Sequence, residues 1–305
     1  MTDYQAILDE IAEKVRPSFG KGSVANYIPA LGSVSPGKFG MAVQTVGGGS
    51  FRVGDAAEPF SIQSLSKLFV LQLAMSDFGD EVWERVGKEP SGDRFNSLMK
   101  LELENGVPRN PFINVGALAT VDLLMSGEGD ARHRIRDYLR TLALNDTIDV
   151  NTTVMNSEIA HSDVNRAMAH LMRAHGSIEC DVVELIATYC YQCSLEMSCI
   201  DLSKAALPLA AGGYSNLHGD TILSAQACKR INAVMITCGM YDGVGSFAYR
   251  VGLPAKSGVG GGIVAVVPGE LAVAVWSPEL DTSGNSFVGT VALELFTSMT
   301  DTGIF

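Results

Sequence analysis

The chain has 305 residues, 47% of them hydrophobic, and carries a formal net charge of -12. A chain of this length can bury a sizeable core, which favours one large domain or two closely packed lobes. Its acidic surface would repel phosphate backbones and anionic lipid headgroups, so we expect neither nucleic acid nor a membrane as a partner.

The N-terminal residues and the cysteines both indicate a reducing compartment. Met1–Gln5 lack the basic region and apolar core of a secretion signal, and no apolar run approaches the length of a membrane span. The six cysteines lie in one third of the chain, where we expect buried thiols and no disulfide framework. Cys190-x-x-Cys193 has no second cysteine pair or histidine at zinc spacing, so we expect no bound metal and a cytoplasmic protein.

Up to Met240 the sequence predicts a helix, a β-hairpin and then a long helical region. Apolar residues recur at helical spacing over Tyr4–Val15, and Pro17 ends the pattern. Phe39–Val46 and Phe51–Val53 are β-rich and are separated by three glycines, which predicts a hairpin. Over Gln63–Met240, segments rich in Leu, Ala and Met with a 3.6-residue period predict helices.

After the helical region the sequence returns to a β-rich pattern. Ser246–Val251, Gly261–Val267 and Leu271–Trp276 are predicted strands of an antiparallel meander, and Pro268-Gly269 would join the last two. A final helix is predicted after Asn285-Ser286, whose side chains are suited to an N-cap.

These elements together predict an α/β (α+β) fold. Strands from both ends of the chain would build one antiparallel sheet flanked by terminal helices, with an all-helical lobe inserted between them. We expect a single domain over residues 1–305, with a sheet lobe at about 1–62 and 241–305 and a helical lobe at about 63–240. The cleft where the two lobes meet is a common place for a ligand site.

A serine and a lysine three residues apart mark the start of the helical region. In a helix beginning near Gln63, Ser64 and Lys67 would lie on one face, among residues that are apolar on nearly every side. A buried lysine tends to lose its proton, and a neutral amine can accept a proton from a nearby hydroxyl. Ser64 is therefore a candidate nucleophile with Lys67 as its base. The same spacing recurs in polar or Gly/Pro-rich stretches, where the lysine would be solvated: Ser18 with Lys21, Ser35 with Lys38, and Ser97 with Lys100.

A glycine-rich stretch follows the helical region and runs from Lys256 to Gly262. Lys256 would stand at the entrance of a strand, and the glycines would let backbone N–H groups approach a developing oxyanion. By itself the stretch could equally be a flexible turn. Together with Ser64 and Lys67, a Lys-Ser-Gly strand is typical of serine acyl-transfer enzymes of the penicillin-recognising type.

A Ser-His-Asp triad is the main competing serine mechanism. None of the five histidines stands in a motif of that kind, and no serine lies in a Gly-x-Ser-x-Gly elbow. His170 and His175 are five residues apart, on different faces of a helix, and so do not suggest a metal site. The lysine-based interpretation is therefore the stronger one.

Longer stretches of the sequence resemble one known family. They are far more specific than the two lysine motifs and are spread over nearly the entire chain: Asn26–Leu31, Phe60–Lys67, Asn110–Ala117, Tyr189–Ser194 and Gly239–Asp242. The chain resembles the serine-dependent glutaminases, which share the serine β-lactamase-like fold. The resemblance implies hydrolysis of L-glutamine to L-glutamate and ammonia by a homodimer or homotetramer, and we expect no cofactor.

The resemblance also implies a role for each matching residue. Ser64 matches the nucleophile, Lys67 its base, and Val259 the backbone donor that completes the oxyanion hole with Ser64. A lysine or tyrosine relay would protonate the departing ammonia, which makes Lys256 a further catalytic candidate. The residues that match ligands of the bound amino acid or active-site tyrosines are Asn114, Glu158, Asn165, Tyr189 and Tyr241.

The local pattern around three of these residues predicts where they lie in helices. Glu158 would stand in the first turn of a helix beginning at Ser157, near the positive end of its dipole. Asn165, seven residues later, would share that face if the helix is continuous, and a break at Ser162 would spoil this geometry. Asn114 would be the N-cap of an apolar helix.

Two other functions fit part of the pattern. A penicillin-interactive peptidase or a β-lactamase would share both lysine motifs, but the missing export signal and the suitability of Glu158 for a free α-amino group disfavour them. A binding protein that senses glutamine would not need both Ser64 and Lys67. Glutamine hydrolysis through a Ser64 acyl-enzyme is therefore the leading prediction.

Overall fold

The computed structural model describes residues 2–91 and 98–304, so that Ser97 lies outside the described residues. The helices are α1 (Tyr4–Lys14), α2 (Ser66–Phe78), α3 (Val82–Arg85), α4 (Leu98–Leu103), α5 (Asn114–Ser126), α6 (Ala131–Ala143), α7 (Thr152–Ala160), α8 (Asp163–Ala174), α9 (Val182–Cys193), α10 (Cys199–Ala210), α11 (Ala225–Cys238), α12 (Val244–Arg250) and α13 (Phe287–Thr300). The strands are β1 (Ser23–Val24), β2 (Gly40–Thr45), β3 (Ser50–Gly54), β4 (Phe60–Ser61), β5 (Glu196–Met197), β6 (Tyr214–Ser215), β7 (Asp220–Thr221), β8 (Ala255–Ser257), β9 (Gly262–Val267), β10 (Leu271–Trp276) and β11 (Glu279–Leu280). None of the helices in these ranges combines the length and the apolar character needed to cross a bilayer.

A five-stranded antiparallel sheet contains strands from both ends of the chain, in the order β3-β2-β10-β9-β8. The β2–β3 hairpin turns at the triple glycine, and the β9–β10 hairpin turns at Pro268-Gly269. Both hairpins were predicted, and the sheet with its inserted helical region confirms the predicted fold class. β10 lies at the centre because β2 pairs with one of its edges and β9 with the other.

Alternate residues of the central strands pack against different helices. Val273 and Val275 belong to a core cluster that includes residues of α1 and α13, whereas Ala272 and Ala274 belong to the cluster that includes the helices of the inserted region. Because successive side chains of a strand point to opposite faces, the sheet has a buried helical layer on each side. All six residues of β10 are buried, which is why its sequence reads as a continuous apolar run.

The terminal helices agree with the sequence, but one predicted strand is wrong. The Ser286 hydroxyl accepts the Gly289 N–H at the start of α13, as the predicted N-cap requires. Ser246–Val251, predicted as a strand, instead lies mostly in α12. Phe247 and Val251 are buried four residues apart in one cluster, whereas Tyr249 is 91% exposed, so the apolar positions follow a helical period.

Helix α11 and strand β8 approach each other closely at Gly239. A Cβ atom at this position would lie 1.8 Å from the carbonyl oxygen of Ala255. We expect Gly239→Ala to destabilise the protein by about 1–3 kcal/mol or more, because neither backbone segment can yield without moving its neighbours. Denaturant unfolding of the variant and the parent measures the difference.

Gly245→Ala is the matched control, because Gly245 lies in α12 with open space around its Cβ position. Alanine has the higher helix propensity, so this variant should be neutral or stabilised by up to about 1 kcal/mol. Equal stability of the two variants would contradict the close approach at Gly239.

Candidate active site

A cavity of about 340 Å³ lies where the turn before α2 meets the β8–β9 loop and helices α7 and α8. Seven of the nine sequence-predicted site residues line it. The other two, Lys67 and Lys256, are not among the described lining residues and lie buried behind the cavity wall. The lining residues are Tyr27, Ile28, Gln63, Ser64, Asn114, Glu158, His161, Val164, Asn165, Tyr189, Cys193, Tyr241 and Val259.

The backbone at the candidate nucleophile is a tight turn and not yet an α-helix. Gln63–Leu65 form a single 3₁₀ turn, and α2 begins at Ser66, three residues after the predicted start. Gln63 has a φ of +50°, the left-handed region that is uncommon for residues other than glycine. Strained backbone of this kind persists only where its surroundings hold it, and it often occurs at functional sites.

Lys67 is buried, as the sequence predicted. Every residue of α2 from Ser66 to Met75 is buried, and Lys67 is 2% exposed. Its Nζ donates a hydrogen bond to Asn114 Oδ1 at 2.6 Å. Burial lowers the pKa of Lys67 to about 8, although the carboxylate of Glu158 favours the charged form. The amine is therefore partly neutral just above neutral pH.

Lys256 lies within the edge strand β8 and not at its entrance. It pairs with Val264, a residue of the core cluster on the helical side of the sheet. Lys256 Nζ donates to the Ser257 carbonyl at 2.5 Å and lies 4.5 Å from the centroid of the Tyr241 ring. Burial and the nearby charge of Lys67 hold the pKa of Lys256 well below its usual range, which favours the neutral amine.

The two candidate catalytic groups contact different partners. The Ser64 hydroxyl forms a hydrogen bond with the phenol of Tyr241, whereas Lys67 Nζ contacts Asn114. Burial raises the pKa of Tyr241, and the hydrogen bond to Ser64 opposes this shift. Tyr241 therefore stays a protonated phenol and can donate a proton next to Ser64.

The glycine-rich loop packs directly on the turn that carries Ser64. A Cβ atom at Gly258 would lie 2.7 Å from the Ile62 carbonyl oxygen, and one at Gly260 would lie 2.3 Å from the Ser61 carbonyl oxygen. Only glycine allows backbone to approach backbone this closely. The approach places Val259 in the cavity wall that also contains Ser64. The stretch is thus an ordered loop that joins β8 to β9.

Glu158 and Asn165 reach the same cavity from two separate helices. The predicted helix start at Ser157 is wrong, because α7 begins after its N-cap Asn151 and Glu158 lies near its C-terminal end. Helix α7 ends at Ala160, and a separate helix, α8, begins after its N-cap Ser162. The prediction of one continuous helix from Glu158 to Asn165 is therefore also wrong. The break does not separate the two side chains from the site. Burial raises the pKa of Glu158 to about 6, while hydrogen bonding to Gln63 and the charge of Lys67 oppose the shift.

Asn114 is the first residue of α5 and not its N-cap. No side chain of the described residues caps α5, and Asn110 instead accepts the N–H groups of Phe112 and Ile113 in the turn that precedes the helix. The Asn114 amide is thereby available to the site. Its Oδ1 accepts the Tyr189 hydroxyl at 3.1 Å as well as the Lys67 amine, and its Nδ2 donates to Asn165.

These groups could bind a small zwitterion and act on an acyl group. The carboxyl of Glu158 can accept hydrogen bonds from an ammonium, and such charge-assisted bonds are strong in an enclosed site. Ser64 offers a hydroxyl in the same wall, with a phenol and two lysines of low basicity nearby.

Comparison with known proteins identifies the family. The sequence model of the glutaminase family matches residues 22–305. The chain belongs to the glutaminase family. It is 55% identical to a glutaminase of Caulobacter vibrioides over 298 residues, which cover 98% of this chain and 97% of the relative. Members of this family are amidohydrolases, and the chain is accordingly an enzyme of that class.

Solved structures of glutaminases have the same fold. A probable glutaminase, ybaS, is 35% identical, with a TM-score of 0.92 and coverage of 98% of each chain. The covalent complex of the Bacillus subtilis glutaminase YbgJ with 5-oxo-L-norleucine is 30% identical, with a TM-score of 0.89, and covers 99% of this chain and 100% of that one. The serine β-lactamase-like fold class predicted from the sequence is thus confirmed.

Sequence reasoning missed several residues that line the cavity. Tyr27 and Ile28 belong to a stretch that carried the family resemblance, so a signal for them existed, but no role was assigned. Gln63, next to the predicted nucleophile, also belongs to such a stretch and was likewise assigned no role. Cys193 was expected only to be a buried thiol; it is one, and burial raises its pKa to about 12. All six cysteines are free.

The buried amine of Lys67 should make stability depend on pH. Its pKa is about 8 in the folded protein and near 10.5 in the unfolded chain, so between these values the unfolded chain binds more protons. Stability should therefore rise with pH over this window, and the charged lysine should cost about 3 kcal/mol below it. We expect Lys67→Met to remove that cost and to be more stable than the parent at pH 7.

Unfolding free energies of the parent and of Lys67→Met, measured from pH 6 to 11, test this. The difference between the two proteins should shrink as the pH rises from about 8 to 10.5. A difference that does not change with pH would show that the amine titrates normally.

Proposed function

We propose that the protein hydrolyses L-glutamine to L-glutamate and ammonia through an acyl-enzyme on Ser64. One observation supports this best. In one cavity of a glutaminase-family chain, a serine hydroxyl lies with a half-buried carboxyl group, and a lysine of lowered pKa lies behind the wall. The relative YbgJ forms a covalent complex on reaction with 6-diazo-5-oxo-L-norleucine, a compound with the L-amino acid end of glutamine.

Each polar group of glutamine has a proposed partner. The α-ammonium would bind the Glu158 carboxylate, and the amides and phenols of Asn114, Asn165, Tyr189 and Tyr241 would hold the α-carboxylate and orient the side chain. The side-chain amide would then lie at Ser64. A site that supplies a partner for every polar group rejects analogues that lack one of them.

Acylation would begin when neutral Lys67 accepts the Ser64 proton. Ser64 Oγ then bonds to the amide carbon, and the N–H groups of Ser64 and Val259 stabilise the oxyanion. When the C–N bond breaks, the nitrogen takes a proton from Tyr241 or a lysine and leaves as ammonia. Protonated Lys67 would give the Ser64 proton back to Tyr241, directly or through Lys256, and so return to its neutral form.

Deacylation would reverse these roles with water as the nucleophile. Neutral Lys67 would take a proton from the water as the new C–O bond forms, and the Ser64 oxygen would take that proton from Lys67 as its bond to the acyl carbon breaks. The products are L-glutamate and the free serine.

We further propose that the whole chain acts as one glutaminase domain, with a sheet lobe at about 1–62 and 241–305 and a helical lobe at about 63–240. The free cysteines fit a cytoplasmic location. The family resemblance supports a homodimer or a homotetramer. Size-exclusion chromatography with light scattering would determine the oligomeric state.

Ser64→Ala should abolish ammonia release from L-glutamine, with a loss of about 10⁴-fold or more, because no acyl-enzyme can form. The parent treated with 6-diazo-5-oxo-L-norleucine should carry a covalent label on the peptide that contains Ser64, as peptide mass spectrometry would show. Ser203→Ala is the control, because this buried serine lies on α10, away from the cavity. Near-normal turnover by Ser64→Ala would refute the acyl-enzyme.

The pH dependence should show two rising steps. KM for L-glutamine should fall as Glu158 ionises near pH 6, and kcat/KM should rise further as Lys67 of the free enzyme loses its proton near pH 8. Glu158→Gln should raise KM by about 10- to 100-fold and lose the lower step, because a neutral amide binds an ammonium less strongly. Steady-state kinetics from pH 5 to 10 test both.

Glu184→Gln is the control for Glu158→Gln, because Glu184 is a surface residue paired with Arg132. This variant should keep the KM of the parent at every pH. An unchanged KM in Glu158→Gln would exclude Glu158 as the ammonium ligand.

A further inference from the structure

We propose that Gln63 is a positioning residue that holds the Glu158 carboxylate in place and in its ionised form, and that Ser61 anchors Gln63. The proposal deepens the proposed function, on which its kinetic part rests. Gln63 is 3% exposed and Ser61 is 7% exposed, so neither side chain is free to rotate into solvent.

A continuous chain of hydrogen bonds connects Glu158 to the backbone of α9. Gln63 and Glu158 line the same cavity, where the Gln63 side chain lies within reach of the Glu158 carboxyl, and Gln63 Nε2 donates to Ser61 Oγ at 2.9 Å. Ser61 Oγ in turn donates to the carbonyl oxygen of Cys193 at 3.0 Å. Because only the amide nitrogen of Gln63 can donate to a carboxylate, its two hydrogens serve Glu158 and Ser61.

The strained backbone of Gln63 supports this role. A φ of +50° costs free energy in a residue with a side chain. A glycine as the first residue of the 3₁₀ turn would avoid this cost. Glycine would not supply the amide that reaches Glu158. The side chain thus provides a reason for a non-glycine residue at a left-handed position next to Ser64.

The charge of Glu158 depends on several neighbours, and Gln63 remains a hydrogen-bond donor whatever the protonation state of the others. A neutral amide close to a buried carboxylate stabilises the charged form and lowers its pKa. Lys67 does so only while it is protonated. The titratable groups that interact with Glu158 are Lys67, Tyr27, His161, Tyr189, Cys190 and Cys193.

The first experiment follows Glu158 directly in the resting enzyme. Protein labelled with ¹³C at the glutamate carboxyl is titrated by NMR, and Glu158→Gln identifies the signal. We expect Glu158 to titrate near pH 6 in the parent and about one pH unit higher in Gln63→Met, which keeps the length of the side chain and removes the donor. Titration at the parent's pH in Gln63→Met would overturn the proposal.

The second experiment separates positioning from a structural effect. In Gln63→Met the step in KM should move to higher pH together with the NMR titration. KM should then be about fivefold higher at pH 6, about tenfold higher well below it, and close to the parent's value at high pH. A purely structural defect would change kcat and KM at all pH values without moving the step. That result would also contradict the proposal.

Two further variants complete the test. Ser61→Ala keeps Gln63 but removes its anchor, so it should shift the Glu158 titration in the same direction by a smaller amount; it also tests the proposal if Gln63→Met does not fold. Gln72→Met is the matched control, because Gln72 is a buried glutamine on α2 that contacts Tyr138. It should leave the titration unmoved. If the parent released no ammonia from L-glutamine, the proposed function would fail, while the NMR titration would still decide the role of Gln63.

Discussion

The burial of one amine, that of Lys67, is the constraint on which the site depends. Helix α2 packs against α5, α6 and α11 and is surrounded by the core, so a lysine in its first turn cannot reach solvent. The amine must either lose its proton or find partners, and the structure allows both: its pKa is lowered, and Asn114 accepts its hydrogen bond. The charged form of Lys67 lowers the stability of the folded protein. The packing of the core around α2 therefore helps to determine the pKa of the amine that serves the cavity.

Backbone contacts of unusual closeness fix the geometry around that amine. Gly258 and Gly260 bring the β8–β9 loop against residues 61–65, and Gly239 brings the end of α11 against β8. Ser64, Val259 and Tyr241 lie on these segments, whose positions relative to one another are therefore set by main-chain packing. Side chains placed in this way need little reorganisation when a ligand arrives, which favours electrostatic stabilisation of a developing charge.

Much of the fold and most of the cavity could be predicted from the sequence. The errors arise where structure depends on residues outside the local pattern. The sheet, both hairpins and the terminal helices follow from periodicity and turn residues. Ser246–Val251 was predicted as a strand because Phe247, Tyr249 and Val251 have high β propensity. In a segment this short, propensity does not show whether the neighbouring element is a helix or a strand. The start of α7 was misplaced because Asn151, six residues before Ser157, is its N-cap. Asn114 was misplaced as a cap because α5 begins at this residue and has no side-chain cap among the described residues. Gln63 lies in a stretch that carried the family resemblance, but its contacts with Ser61 and Glu158 are tertiary and could not be read from the sequence.

The two buried lysines differ because their surroundings differ. Lys67 has the Asn114 oxygen and the Glu158 carboxyl nearby, so a proton on it is tolerated, whereas Lys256 faces a carbonyl, aromatic rings and the charge of Lys67. On the proposed function, this arrangement couples binding to activation. A substrate ammonium at Glu158 would bring a second positive charge near Lys67 and neutralise the carboxylate that supports its proton. Both effects lower the pKa of Lys67, so that the base would lose its proton when the substrate enters the cavity.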